Sequence, residues 1–525
     1  MATPTYGGLS DSKLRVAITT TATIGFLLFG YDQGVMSGII TGERFNDEFP
    51  DTKGNDSYHA TMQGTVTSVY ELGCFAGALA ALMWGERLGR CKSIIIGAVI
   101  MILGTLIQIT AFRGKHELAQ FIIGRIVTGL GNGANTSTIP VWQAECSKSH
   151  NRGLLICIEA GMIAVGTVIA YWLDFGMSFV NDSSQWRFPI AFQIVFAILL
   201  IAGANIFPES PRWLLNHGRE EEAVRVLAAL NGTSTDDEET NREKRVILES
   251  IQIVSGAEKN SGFKDVFSNG KGQHLRRMLI GASSQMFQQL GGCNAVIYYC
   301  PVLFEESLKL SRRMSLILGG VNATMYAMST LISFFAIERK GRRFLFLAGS
   351  FGQALAMFIT MICLVVGARA AKGAAVGLFL YIIVFGCTWL ELPWLYPAEL
   401  SPLRTRTRAN ALSTSTNWIF NFLIVQITPT MIANIGWATY LVFGVMNLMF
   451  IPFIYFFYPE TAGRSLEEID VLFGKAYTEN KSIVKVAKET PHMSPLAVEA
   501  ATQALEAMED RPIAVSTGVD VENKV

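Results

Sequence analysis

Glu86-Arg-Leu-Gly-Arg90 returns 252 residues later as Glu338-Arg-Lys-Gly-Arg342. Two further landmarks keep almost the same step. Ala144-Glu145, with Arg152 seven residues on, returns after 254 residues as Ala398-Glu399 with Arg406, and Pro208-Glu209-Ser210 returns after 251 as Pro459-Glu460-Thr461. A fixed offset marks a duplicated structural unit. Apolar runs fill the intervals, each close to the roughly 20 residues a helix needs to cross a bilayer. They lie near 15–40, 61–84, 93–112, 118–142, 153–176, 187–207, 278–301, 314–337, 343–366, 374–397, 410–433 and 437–458. The chain therefore reads as an all-α membrane protein of twelve transmembrane helices in two six-helix halves of the same orientation. Its segments are an N-terminal tail (1–14), a first half (15–207), a central connection (208–277), a second half (278–458) and a C-terminal tail (459–525).

Composition agrees. Of 525 residues, 50% are hydrophobic and only 16% charged, whereas soluble domains carry about a quarter. Lysine plus arginine, 43, balances aspartate plus glutamate, 43, so there is no basic footprint and no nucleic-acid partner is expected. The lipid bilayer is the expected partner. The 48 glycines suit closely packed transmembrane helices. No cleavable signal is expected, because the first fourteen residues are polar and the run after them is long enough to span. Cys74, Cys157, Cys293, Cys363 and Cys387 fall within spans and Cys91 and Cys146 at span ends, which suits packing rather than a disulfide framework. There is no P-loop, no metal-ligand spacing among the six histidines and no Ser/His/Asp set. The reading is not an enzyme, with no cofactor and no metal.

Lysine and arginine in short loops orient the spans. Arg87, Arg90 and Lys92 follow span 2, Arg339, Lys340, Arg342 and Arg343 follow span 8, and Arg404, Arg406 and Arg408 follow span 10; the first loop instead holds Glu43, Asp47, Glu48, Asp51 and Asp56 against Arg44 and Lys53. Both termini and the central connection are expected in the cytosol. Within that connection, Arg219 to Leu230 reads as an amphipathic helix. Asn55 and Asn181 begin sequons in expected external loops and are candidate glycosylation sites. A cytosolic charge network of Glu86, Arg90, Glu145, Arg152, Glu338, Arg342, Arg343, Glu399 and Arg406 is expected to pair between the halves and hold the cytosolic side closed; the plainer alternative is the positive-inside rule alone.

Parallel halves with a site near the midplane describe the major facilitator architecture. The motifs go further: Gly30-Tyr-Asp32, Glu86-Arg-Leu-Gly-Arg90, Gly124-Arg125, Pro208-Glu-Ser-Pro-Arg212, Gln288-Gln-Leu-Gly-Gly-Cys-Asn294, Glu338-Arg-Lys-Gly-Arg-Arg343, Pro393-Trp394, Asn417-Trp418 and Pro459-Glu-Thr-Ala-Gly-Arg464. From about residue 20 to 475 the chain resembles the sugar porter family of the major facilitator superfamily. Ile169 to Gly176, Ser184 to Pro189 and Pro459 to Asp470 are most similar to its fungal glycerol–proton symporters. The resemblance implies a multi-pass transporter of the plasma membrane, acting as a monomer, whose partners are a small polyol or monosaccharide and a proton.

An ionisable group inside a span is costly and is by default functional. Asp32 in span 1 and Arg125 in span 4 lie at matching depths, roughly 10–12 Å from one surface at 1.5 Å per residue. An arginine favours the ionised carboxylate, and a low-dielectric surrounding without it favours the protonated one. Alternation between the two would load and release a proton. A permanent salt bridge is the alternative, and the resemblance implies the coupling role.

Span 7 offers Gln285, Gln288, Gln289 and Asn294. Amides both donate and accept, as the hydroxyls of a sugar or polyol require, although interhelical bonding alone would also satisfy them. The resemblance implies that Gln288, Gln289 and Asn294 bind substrate, with Trp394 stacking beneath it, Asn417 contributing from span 11, and Tyr298 and Tyr299 closing an outer gate. Three departures bear on substrate: Ala160, preceded by Glu159, replaces a glutamine of many hexose porters, Tyr326 replaces an asparagine, and Glu391 interrupts a Gly/Pro-rich stretch. Each lost hydrogen bond is worth about 1 kcal/mol, which favours a polyol such as glycerol over a tightly bound hexose. Rivals are a proton-independent hexose or pentose facilitator and, remotely, a transporter-like nutrient sensor.

Overall fold

The computed structural model describes residues 4–54, 56–112, 114, 116–147, 152–259, 263–270, 272–402, 405–493 and 497–498. Among these there is no β-strand. Each of the twelve expected spans is occupied by a helix: α1 (Asp11–Ile39), α2 (Ser57–Leu88), α3 (Arg90–Ile109), α4 (Glu117–Glu145), α5 (Arg152–Met177), α6 (Ser184–Ile206), α7a and α7b (His274–Leu290, Cys293–Val302), α8 (Arg312–Lys340), α9 (Arg342–Val366), α10a and α10b (Ala371–Thr388, Leu392–Leu400), α11 (Arg406–Ile435) and α12 (Ala438–Phe457). Ten helical segments are long and apolar enough to cross a membrane, with α10a and α10b counted as one. The other two spans are α4, interrupted by polar residues such as Arg125, Asn132 and Asn135, and α7, which is broken. Several helices outrun their apolar stretch. The 32 residues of α2 amount to about 48 Å against a hydrocarbon core of about 30 Å, because hydropathy marks only the lipid-facing part.

The break in α7 has a local cause. Gly292 takes φ +91°, and a Cβ there would meet the Phe443 ring, so only glycine fits the kink. The Gly291 carbonyl freed by the break accepts from Tyr381 Oη at 2.8 Å and from Asn447 Nδ2 at 2.9 Å. In α10 the corresponding bend falls at 389–391.

The sequence landmarks explain how each half is pinned. Glu209 accepts from the backbone N–H groups of Arg90 and Cys91 at 3.0 and 3.1 Å. Glu460 accepts from Arg342 and Arg343 at 2.8 and 3.1 Å. Each carboxylate thus caps the unsatisfied first turn of the helix that follows the Arg-x-Gly-Arg turn, α3 or α9, where negative charge is favoured. The turn glycines, Gly89 and Gly341, take φ +88° and +84°, and a side chain on either would strike its capping carboxylate.

Both described chain ends pack at the end of the bundle that bears the central connection. Arg15 Nη1 donates to Asn231 Oδ1 at 3.4 Å, Gln273 Nε2 to the Phe473 carbonyl at 3.0 Å, and Arg277 pairs with Asp470. The amphipathic helix appears as Glu220–Asn231, and a further helix, Glu238–Lys259, follows it.

Candidate functional site

α1, α2 and α4 meet at a buried ion pair. Arg125 Nη1 donates to Asp32 Oδ1 at 2.9 Å, with both side chains fully buried. Gly30, two residues before Asp32, lies against the Ile163 backbone of α5 with no room for a side chain. The guanidinium sits over the Tyr70 ring, 4.6 Å from its centroid, and Nη2 reaches the Thr67 carbonyl at 3.4 Å. Tyr70 Oη in turn accepts from Asn132 Nδ2 at 2.6 Å. Asp32 Oδ2 and Arg125 Nε have no hydrogen-bond partner.

The second half supplies an amide cluster. Asn417 Nδ2 donates to Gln285 Oε1 at 2.6 Å and Gln288 Oε1 at 3.0 Å, and its Oδ1 accepts from Gln289 at 3.2 Å. Asn294 Nδ2 bridges Gln289 Oε1 and Asn421 Oδ1, each at 2.7 Å. Gln285 and Gln288 also donate to backbone carbonyls of α10, Pro393 in the first turn of α10b at 2.6 Å and Trp389 at the bend at 2.8 Å. The expected amides therefore converge. Asn421 joins them, one helical turn beyond Asn417 on the same face, and that spacing was the readable signal for it. Trp394 is half-buried in the first turn of α10b, beside Pro393.

Tyr298 and Tyr299 are buried in α7b. Tyr299 Oη donates to the Val425 carbonyl at 2.8 Å, and Tyr298 Oη donates to Glu71 Oε1 of α2. Nothing in the sequence reading singled out Glu71, which is fully buried. Of the substrate-related departures, Tyr326 is buried against Phe385, Ala160 and Glu159 are buried on α5, and Glu391 is held by Ser333 of α8 with its Oε1 unpartnered.

The charge network is seen with the opposite end of the bundle closed, the state in which pairs between the halves are expected to be broken. Arg90 pairs with Glu86 at 2.6 Å and Glu145 at 2.9 Å, and Arg342 with Glu338 at 2.9 Å and Glu399 at 2.8 Å. These pairs close within each half rather than between halves. Arg343 instead donates to the Tyr455 carbonyl at 2.7 Å, and Arg406 Nε to the Ser401 carbonyl at 3.1 Å. The halves are tied at the opposite end: Ser68 Oγ donates to Gln426 Oε1 at 2.7 Å, Thr61 meets Thr430 at 3.2 Å, and Tyr171 Oη reaches the Ile297 carbonyl at 2.5 Å. With that end latched by α2, α5, α7b and α11, the two charge sets need not bridge. The side chain of Arg152, and Asn55 and Arg404 entirely, lie outside the described residues; Asn181 is exposed.

The profile of the sugar (and other) transporter family matches residues 18–473. The chain belongs to the sugar transporter family. It is 52% identical to the sugar transporter STL1 of Saccharomyces cerevisiae, over 96% of this chain and 89% of that one. It is 48% identical to the major facilitator superfamily transporter mfsA of Aspergillus fumigatus, over 93% and 92%. Among solved structures it is similar to the proton:xylose symporter XylE bound to 6-bromo-6-deoxy-D-glucose, with TM-score 0.74 and 25% identity over 88% of this chain and 100% of that one. As a sugar transporter family member, the chain is a multi-pass membrane transporter of the major facilitator fold and not an enzyme.

Proposed function

We propose that this transporter moves a small polyol or monosaccharide, glycerol foremost, across the plasma membrane together with a proton, as a monomer and by alternating access. The observation that carries the reading is the fully buried Asp32–Arg125 pair at 2.9 Å, found in the same bundle as an amide cluster that both donates and accepts. In this reading Gln288, Gln289, Asn294 and Asn417 bind hydroxyls, Trp394 stacks beneath the solute, and Tyr298 and Tyr299 close the outer side. Loop charge supports placing the Glu86 and Glu338 turns, the central connection and both tails in the cytosol, so the latched end faces outward and the structure is closed to the outside. The name of XylE, a proton:xylose symporter, supports coupling, and the departures at Ala160 and Tyr326 support a small solute. Asn181, exposed at the outer end, is the proposed glycosylation site.

The test is external alkalinisation when glycerol or a sugar is added to cells expressing the protein. Proton uptake that tracks solute uptake and collapses with a protonophore is expected. Solute uptake without it would leave a facilitator. Asp32→Asn is expected to abolish accumulation against a gradient while exchange stays measurable.

A further inference from the structure

Glu71 stands on α2, one turn beyond the Thr67 carbonyl that Arg125 reaches, and belongs to neither the amide cluster nor the charge network. It is fully buried, Tyr298 of the opposite half donates to its Oε1, and its Oε2 has no hydrogen-bond partner. The ionisable groups facing it are Arg125 of α4, Asp32 of α1, Tyr298, Tyr299 and Cys293 of α7b, and Tyr70 and Cys74 on α2 itself. α11 presents the amide of Asn421. Arg125 is the one cation among these groups and pairs with Asp32 alone, and each carboxyl keeps one oxygen unpartnered, Asp32 Oδ2 and Glu71 Oε2. If both were ionised, the cluster would bury one uncompensated negative charge, which is strongly unfavourable away from water.

We propose that Glu71 is a second proton-bearing carboxyl of the coupling site, and that its bond to Tyr298 ties closure of the outer gate to the presence of the proton. The inference rests on the symport reading and deepens it. With the halves parted outside, Tyr298 leaves Glu71 and water reaches both carboxyls. Binding one proton makes the set neutral: one guanidinium, one carboxylate, one carboxylic acid. The gate then closes over a neutral cluster. Loss of that proton to the inside leaves the closed gate over an unpaired charge, which favours reopening outward.

The test compares wild type with Glu71→Gln, which removes the extra charge while its amide oxygen still accepts from Tyr298. Both are scored on alkalinisation per solute taken up, on the pH dependence of uptake, and on solute exchange at equal concentrations. A one-proton requirement makes wild-type uptake change by up to about tenfold per pH unit above the titration range. Glu71→Gln is expected to keep reduced but measurable exchange, to lose that pH dependence to less than about twofold per unit, and to take up less proton per solute. A Glu71→Gln protein with the wild-type proton ratio and pH profile would overturn the proposal and leave symport standing; wild type without proton uptake would overturn the symport reading itself. Complete loss of exchange in a Glu71→Gln protein that reaches the membrane would also overturn it, since the gate bond survives that change. If Glu71→Gln fails to reach the membrane, Glu71→Asn is judged by the same readouts.

Discussion

The two halves are alike at the ends that bear the Glu86 and Glu338 turns and unlike at their centres. At the ends, Arg90 with Glu86 and Glu145 repeats as Arg342 with Glu338 and Glu399, and the Glu209 cap of α3 repeats as the Glu460 cap of α9. At the centres, the first half buries an ion pair, Asp32 with Arg125, and Glu71 beside it, whereas the second converges amides on Asn417 and buries a single carboxyl, Glu391, with no cation paired to it among the described residues. Duplicated ends do one job twice, fixing where helices start and how they lie against each other. The centres differ in chemistry, and under the proposed function that difference divides the work: charge for a proton in the first half, hydrogen-bonding amides for a solute in the second.

The largest effect should come from unbalancing the charged centre. Arg125→Leu leaves Asp32 buried without its cation, a loss of about 3–5 kcal/mol; a sharp drop in surface expression and melting temperature is expected, and the double change Arg125→Leu with Asp32→Asn should recover much of it. If the double variant were no better than the single, the pair would not be the reason for the loss.

Next in size, Glu209→Gln and Glu460→Gln should each cost about 1–3 kcal/mol, since each removes charge-assisted bonds to helix N-termini. Thermal unfolding in detergent should show similar losses for the two; a large difference would mean the ends are not functionally equivalent. Asn417→Ala strips partners from Gln285, Gln288 and Gln289, and solute affinity should fall about 10- to 100-fold, an energy of about 1.4–2.8 kcal/mol, with the proton ratio unchanged. A changed ratio would show that the second half also handles the proton. The smallest effect is Tyr326→Asn, which puts an amide in place of the buried phenol packed on Phe385; a shift of a few-fold from glycerol toward hexose in competition uptake is expected, of the order of one hydrogen bond.

The repeat, the spans, the meeting of Asp32 with Arg125 and the gathering of amides were all legible, because each depends on local periodicity, on depth along a helix or on residue type. Glu71 was passed over, although the rule that flags Asp32, an ionisable group inside a span, applies to it equally; what the sequence does not carry is its partner, Tyr298, which crosses from the other half. The breaks at Gly291–Gly292 and at 389–391 were hidden inside continuous apolar runs, since hydropathy does not register a kink whose freed carbonyl is satisfied by Tyr381 and Asn447.

By itself, the sequence determined that the chain crosses a membrane in two repeated halves and that it carries few internal charges, because the hydrophobic effect and the duplicated motifs act along the chain. Only the tertiary structure decided that Arg90 and Arg342 each pair within their own half and that Tyr298 of one half donates to Glu71 of the other. Pairing between helices depends on rotation and tilt about each helix axis, and side chains tens of residues apart fix those angles through packing.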